Sequence, residues 1–311
     1  SIEQVDDPKL KGRPVAVGSG DERGVVAAAS YEARKFGVKS AMSSALAKKK
    51  CKHIIFVKPR FTRYKEISIQ IRNIFSQFTD LVEPISLDEA FLDVTENKFN
   101  IGLATNIARI IRKKIFNELK LTSSAGISIN KFLAKVATEI NKPNGQKTIH
   151  PKIVDQFINN LPIEKFYGIG KVTSQKMNKI GIYTGADLRK KDCNTLMNHF
   201  GKQGSNFYKI VRSIQNNPVN PNRVRKSIGA EKTFKQDIQS EDFILNKLSQ
   251  IAEEIERRMM TKNDKGKTVT VKLKFNDFSQ NTRSKTISNY INKKSELIPI
   301  IQELIFEKPI C

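Results

Sequence analysis

The sequence predicts an α+β chain built of several domains. Three observations lead there. Its 311 residues exceed what one compact domain ordinarily holds and suit two or three. Apolar residues recur at helix spacing in some stretches and at strand spacing in others, in a mixed order that fits neither an all-α nor an all-β class. One segment, Asn216-Asn217-Pro218-Val219-Asn220-Pro221-Asn222-Arg223-Val224-Arg225, carries prolines and asparagines with no run of core residues, which marks a linker.

The elements follow in order. Residues 14–18 (Pro-Val-Ala-Val-Gly) and 24–29 (Gly-Val-Val-Ala-Ala-Ala) flank a polar turn and read as a β-hairpin. Small residues on the second strand mark tight packing or the close approach of a ligand. Short helices are expected over 31–36 and 43–50, then a longer one over 63–78 with Ile67, Ile71, Ile74 and Phe78 on one face. Residues 82–94 read as strand-turn-strand. A helix over 102–119 places Leu103, Ile107, Ile110, Ile111 and Ile115 on one face and Arg109, Arg112, Lys113 and Lys114 elsewhere. A strand over 123–129 leads into a helix over 131–140, closed by the turn Lys142-Pro143-Asn144-Gly145. A helical block covers 151–216. After the linker come a strand over 226–234, a helix over 243–260, strands over 268–276 and 283–287, and a helix over 294–306. That order is a small β-α-β-β-α domain.

The charge narrows the partners. Lysine and arginine number 55 against 31 acids, giving a net charge of +24 and a pI near 9.9. The excess is spread along the chain and points to a polyanion, with nucleic acid first and an acidic membrane surface second. No stretch approaches the roughly 20 apolar residues that a spanning helix needs. Cys51, Cys193 and Cys311 are scattered and odd in number, which fits a reducing compartment and no structural zinc. His53, His150 and His199 stand alone and form no catalytic or metal-binding cluster.

Five constellations carry chemistry. In Ser86-Leu87-Asp88-Glu89 two adjacent carboxylates end an apolar segment. Neighbours on a straight strand point to opposite faces, so Asp88 and Glu89 share a site only where the strand turns, and Pro84 and Ser86 favour a turn. Such oxygen donors suit Mg²⁺, which takes one or two carboxylates and completes its shell with water and phosphate oxygens. The bland alternative is a solvated hairpin, but acids are scarce in so basic a chain. Tyr31 and Arg34 lie three apart on one helix face, where hydroxyl and guanidinium together suit a polyphosphate clamp, although the stretch by itself reads first as an amphipathic surface helix. Lys142, at a turn, reaches a phosphate as a point charge. Tyr167-Gly168-Ile169-Gly170-Lys171 lies between helices, and its glycines expose backbone N–H groups to a phosphate. Around 268–275, Val269, Val271, Leu273 and Phe275 alternate with Thr268, Thr270, Lys272 and Lys274, leaving a face of hydroxyls and ammoniums that Ser227, Arg283 and Lys285 are expected to extend.

Six stretches in one order carry a resemblance. They are Tyr31-Glu32-Ala33-Arg34-Lys35-Phe36-Gly37-Val38, Ser86-Leu87-Asp88-Glu89-Ala90-Phe91-Leu92-Asp93-Val94, Gly126-Ile127-Ser128-Ile129-Asn130-Lys131, Lys142-Pro143-Asn144-Gly145, Gly168-Ile169-Gly170 and Val224-Arg225-Lys226-Ser227-Ile228-Gly229. Over essentially its whole length the chain resembles the Y-family translesion DNA polymerases, nearest to the DinB type.

The resemblance implies a right-hand polymerase: fingers over 1–59, palm over 60–149, helix-hairpin-helix thumb over 150–216, linker over 217–225, and an incomplete β-α-β-β-α little finger over 226–311. It implies a DNA-directed DNA polymerase that extends a primer 3′-hydroxyl from deoxynucleoside triphosphates with two Mg²⁺ ions and bypasses damaged template. Asp88 becomes a metal ligand and Glu89 the adjacent catalytic acid. Tyr31, Arg34 and Lys142 become triphosphate contacts, and Val25 and Ala27 the small residues over the nascent pair. Gly168, Ile169, Gly170 and Lys171 take the duplex backbone, with Arg225, Lys226, Ser227, Lys272, Lys274, Arg283 and Lys285 as further DNA contacts. The implied setting is a bacterial cytoplasm, a monomer on primer–template DNA, no membrane, and a sliding clamp as partner of the parent protein.

The family also begins with a strand bearing a metal-binding Asp and an aromatic steric gate. Here both are expected upstream of Ser1, so this segment alone is expected to have little activity. Two other readings compete. One is a non-catalytic protein that grips the DNA backbone. The other is a membrane-surface protein, for which the helix over 102–119 is the candidate. The dispersed charge predicts duplex affinity that falls steeply, by about 10³-fold or more, between roughly 50 and 200 mM salt, with little dependence on sequence. Anisotropy titrations on two unrelated duplexes check this.

Overall fold

Residues 1–214, 217–238 and 240–306 are described by the computed structural model. The chain divides into two units, Ser1–Arg223 and Val224–Cys311.

The first unit opens with helix α1 (Ile2–Asp6) and a three-stranded sheet. Strand β1 (Val15–Gly18) pairs antiparallel with β2 (Val26–Ala29), as the hairpin reading expects. Helices α2 (Tyr31–Lys35) and α3 (Ser44–Lys50) follow, each started by a serine whose hydroxyl accepts from a backbone N–H. A third strand, β3 (Ile55–Val57), adds parallel to β1. It escapes the sequence reading because three residues show no period. Ala16, Val26, Ala29, Ala33, Val38, Ala47 and Cys51 form a core of small side chains, so sheet and helices pack closely.

Next come helix α4 (Phe61–Ser76), the antiparallel pair β4 (Val82–Pro84) and β5 (Ala90–Leu92), and helix α5 (Ala104–Leu119). Strand β6 (Ala125–Ile127) crosses through helix α6 (Lys131–Ile140) to its parallel partner β7 (Gln146–Thr148). Helices α4 and α5 bury Ile67, Ile74, Phe78, Ile107, Ile111 and Ile115 together. Ile110 and Leu103, expected on that face, are instead exposed. Leu103 is the N-cap residue of α5, and Ile110 stands beside Arg109 on its outer side.

Helices α7 (Val154–Asn160), α8 (Lys171–Lys179), α9 (Gly185–Arg189), α10 (Cys193–Phe200) and α11 (Lys202–Val211) complete the unit. Their core is continuous with Phe132, Leu133, Val136 and Ala137 of α6. Helix α6 therefore buries one face in this core, with its polar face left for other contacts. The expected end of this block at 216 lies outside the described residues.

The second unit contains helix α12 (Glu241–Met260), strands β8 (Gly266–Lys274) and β9 (Gln280–Ile291) in an antiparallel hairpin, and helix α13 (Lys294–Phe306). Val269, Val271, Ile291, Leu297, Ile301, Leu304 and Ile305 pack on Ala252 of α12. The expected first strand is not formed: residues 226–234 carry no strand assignment. Ile228, Ala230 and Phe234 keep a period of two, but a strand needs a ladder partner, and none pairs with this stretch among the described residues.

One polar knot fixes α1 to α4. The Tyr64 hydroxyl donates to Glu3 Oε1 at 2.6 Å, Arg60 reaches both Glu3 and Asp6, and Arg63 meets Asp6 at 3.1 Å. The Arg63 hydrogen bond, aided by Arg60 and opposed by burial, holds the Asp6 carboxyl below its ordinary range. A depressed pKa means stability that is present above the unfolded value and lost as pH falls through the folded one. Asp6→Asn is therefore expected to lower the melting temperature at pH 7, with a cost of about 1 kcal/mol or less. The gap from the parent should close as pH drops below about 4. Thermal melts across pH check this, and a gap constant to pH 2 would contradict the ion-pair account.

Candidate active site

The acids sit where β4 turns into β5. The N–H groups of Ile85 and Ser86 both donate to the Glu89 carbonyl, so the chain folds back over residues 85–89. The Ser86 hydroxyl donates to Asp88 Oδ1 at 2.6 Å and accepts from the Asp88 N–H. This turn takes Asp88 and Glu89 out of strand alternation, and both line one cleft.

Helix α6 supplies cations to this turn. Lys135 Nζ donates to Glu89 Oε1 at 2.5 Å, and Lys131, one helical turn earlier, donates to Glu83 Oε2 at 2.7 Å. The Lys135 side chain keeps 15% of its surface exposed. Gly126 sets the approach of α6. A Cβ there would lie 2.0 Å from the Ala134 carbonyl oxygen and 2.4 Å from the Thr138 nitrogen, so only glycine lets the helix lie this close to β6. Asn130 caps α6, its side chain accepting from the Leu133 N–H.

The Glu83 carboxylate also accepts from the Asn220 N–H at 2.8 Å, and Lys131 donates to the Pro218 carbonyl at 3.0 Å. Burial pushes the Glu83 carboxyl up, but the Lys131 and Asn220 hydrogen bonds outweigh it and hold the group below its ordinary range. The segment expected to be a bare linker is thus tied down at its start.

The anion-binding candidates face the same cleft, whose volume is about 1590 Å³. Tyr31, Arg34 and Lys142 line it together with Asp88, Glu89 and Ala27. Arg34 lies over the Tyr31 ring at 5.4 Å from its centroid, and its Nε donates to the Ala29 carbonyl. Lys142 pairs with Glu139 at 2.6 Å. Val25 is not among the lining residues; it is 53% exposed and bridges Ser43.

At the head of α8 the 167–171 turn has the expected form. Gly168 adopts φ +91°, and no atom stands within 4 Å of a Cβ built there. Gly170 is the N-cap with no side-chain cap, so the first N–H groups of α8 are open to an anion. Ile169 is buried as an anchor, while Lys171 is exposed.

In the second unit, Lys272 and Lys274 are exposed on the outer face of β8. There Thr268 meets Thr286, and Thr270 meets Ser284, hydroxyl to hydroxyl at 2.9 and 2.8 Å. Arg225, Lys226 and Ser227 are exposed in irregular chain. Arg283 and Lys285 do not extend this face. They pair in register with Val271 and Val269, and residues directly opposite share a face. Arg283 donates to the Leu304 and Ile305 carbonyls at the end of α13, and Lys285 pairs with Glu303.

Comparisons with known proteins agree along the chain. The impB/mucB/samB family profile matches residues 1–139, its C-terminal domain 225–308, and its helix-hairpin-helix motif 152–182. DNA polymerase IV of Akkermansia muciniphila is 49% identical over 307 residues, covering 99% of this chain and 86% of that protein. The chain belongs to the Y-family DNA polymerases, of the DNA polymerase IV type.

DNA polymerase IV 3 of Mesorhizobium japonicum is 53% identical over 284 residues, 91% of this chain and 79% of that protein. Among solved structures, a chimera of the Y-family polymerases Dbh and Dpo4 superposes with a TM-score of 0.91 at 32% identity, covering 98% of this chain and 89% of its own. The insertion ternary complex of Dbh DNA polymerase gives 0.71 at 30% identity, with 99% and 91% covered.

In this Y-family chain the sequence reading misses the ion-pair partners: Lys135 for Glu89, the Lys131–Glu83 pair, and Glu139 for Lys142. The signal for the lysines was their spacing of four on α6, directly after Gly126. Gly126→Ala is expected to destabilise the protein by about 1–3 kcal/mol through overpacking. It should also move Lys135 away from Glu89. Thermal unfolding measures the first effect. Nucleotide affinity measures the second, falling more than in an equally destabilised variant remote from the cleft.

Proposed function

We propose that this chain carries out template-directed DNA synthesis of the lesion-tolerant type at the cleft shared by Asp88, Glu89, Tyr31, Arg34 and Lys142. One observation supports this reading above the others. Residues from three separate stretches, two acids from one and the clamp residues from the other two, line a single cleft.

The donor set fits a hard divalent cation. Asp88 and Glu89 offer oxygen only, and no cluster of three or more His, Cys, Asp or Glu able to hold a metal forms among the described residues. A transition-metal site of thiolate and imidazole is therefore a poor match, whereas Mg²⁺ completes its shell with water and substrate phosphates. Glu89 already accommodates a cation, the Lys135 ammonium. Asp88 and Glu89 would hold the two Mg²⁺ ions, which supply charge neutralisation at the reacting phosphoryl group.

The chain's own residues do the rest. Ser86 orients the Asp88 carboxylate. Arg34 and Lys142 bind the triphosphate as charge-assisted donors, with the Tyr31 hydroxyl beside them. Both cations counter the negative charge that the transferring phosphoryl group presents. Ala27 adds little bulk at the cleft wall, leaving room for a distorted template base, and weak shape checking means low fidelity. The uncapped start of α8 takes a backbone phosphate without reading sequence. Arg225, Lys226, Ser227, Lys272 and Lys274 are read as further contacts to DNA. Fingers over 1–59, palm over 60–149, thumb over 150–216 and little finger over 226–311 are part of this proposal.

Asp88→Ala in the natural protein is expected to cut primer extension with Mg²⁺ by about 100-fold or more. The duplex dissociation constant should stay within about two-fold, because duplex affinity rests on cations against phosphates and Asp88 is an acid. A protein that only grips the DNA backbone would lose nothing on this substitution. Extension gels and anisotropy titrations on one preparation separate the two readings.

A further inference from the structure

The Lys142 turn is gripped by a side chain that lines the same cleft. Arg112 lies on α5, where the sequence places it among surface basic residues. Its Nε donates to the Ser123 carbonyl at 2.8 Å. Its Nη2 donates to the Asn144 carbonyl at 2.6 Å and to Asn144 Oδ1 at 2.9 Å. One guanidinium thus joins the approach to β6 with the turn that carries Lys142. Asn144 has φ +48°, in the left-handed region that asparagine tolerates better than most side-chain-bearing residues, and Arg112 grips it in that conformation.

The remaining contacts point the same way. Gly145 donates to Ser124 Oγ, and its carbonyl accepts from Ala125 at 3.0 Å. A Cβ on Gly145 would lie 1.8 Å from the Asn141 carbonyl oxygen, so the turn closes on itself. Thr105, seven residues before Arg112 and on the same α5 face, accepts from Gln146 Nε2 through its carbonyl at 2.9 Å. Helix α5 therefore holds the turn through Arg112 and the start of β7 through Thr105, and Arg112 is the contact next to Lys142.

We infer that Arg112 is a positioning residue for nucleotide binding: it fixes the 142–145 turn so that the Lys142 ammonium meets the triphosphate. The inference rests on reading Lys142 as a triphosphate contact. Arginine is required because its planar fork reaches two carbonyls from different segments at once, which a lysine's single ammonium does not.

The test is a double-substitution cycle on the natural protein bound to a dideoxy-terminated primer–template, with dNTP affinity as readout. Lys142→Ala should weaken dNTP binding about 10-fold or more, the scale of a charged hydrogen bond. Arg112→Ala should reproduce most of that loss with duplex affinity unchanged, and the double variant should be little worse than Lys142→Ala alone. Hydrogen exchange at the 144–146 amides should speed up in Arg112→Ala. Arg112→Lys, which keeps the charge, should still lose most of the affinity, and it serves if the alanine variant does not fold. If Lys142→Ala weakens binding while neither Arg112 variant does, or if the two losses multiply, the positioning role is wrong and the triphosphate contact stands. If Lys142→Ala has no effect, the triphosphate contact itself is wrong, and the positioning role falls with it.

Discussion

Glu89 and Lys135 meet at 2.5 Å, and the rest of the site depends on that contact. Two neighbouring carboxylates repel each other, and a nearby ammonium offsets that repulsion. Here the charge comes from α6, which must lie close enough to β6 for a lysine to span the gap. Gly126 allows that approach. The buried face of α6, Phe132, Leu133, Val136 and Ala137, fixes its rotation from the other side. Packing in the helical block is thereby coupled to electrostatics at the acidic turn. Lys131, one turn back on the same helix, extends the arrangement to Glu83 and the start of the linker.

The opposite wall of the cleft is built differently. The first sheet and its helices have a core of alanines, valines and one cysteine. Small side chains let β2 present Ala27 to the cleft and let α2 carry Tyr31 and Arg34 beside it. Arg34 is held by the Ala29 carbonyl and by the Tyr31 ring, while Lys142 is brought in by the turn that α5 secures. The charge of +24 is thus used in two ways: some cations lie open on outer faces, and others are fixed against acids or carbonyls.

How much of this was legible follows from which forces are local. Helix periods and caps are local, so α6 and α13 form over the expected 131–140 and 294–306. Strand pairing is not local. Residues 226–234 have the alternation but no ladder, and β3 has a ladder but is too short to alternate. Arg283 and Lys285 show the same limit. The connection over 275–279 pairs Lys274 with Gln280, and that register alone decides that both cations turn toward α13. In the cleft, residue type and spacing singled out the acids, Tyr31, Arg34 and Lys142 as candidates, and the resemblance proposed their roles; what the structure adds is that they line one cavity. Lys135 and Arg112 were not singled out, because what a cation pairs with is set by elements far apart in sequence.

The central claim is that the 85–89 turn holds the divalent cation. Fe²⁺ substituted for Mg²⁺ in the natural protein, with a dideoxy-terminated primer–template and dNTP bound, reduces added hydrogen peroxide to hydroxide and hydroxyl radical, ascorbate returns the Fe³⁺ to Fe²⁺, and the radicals cut the backbone beside the metal. The account predicts cuts at residues 85–90, suppressed by excess Mg²⁺ and lost in Asp88→Asn. Cuts elsewhere with this turn intact, or cuts at the turn that persist in Asp88→Asn, would contradict it.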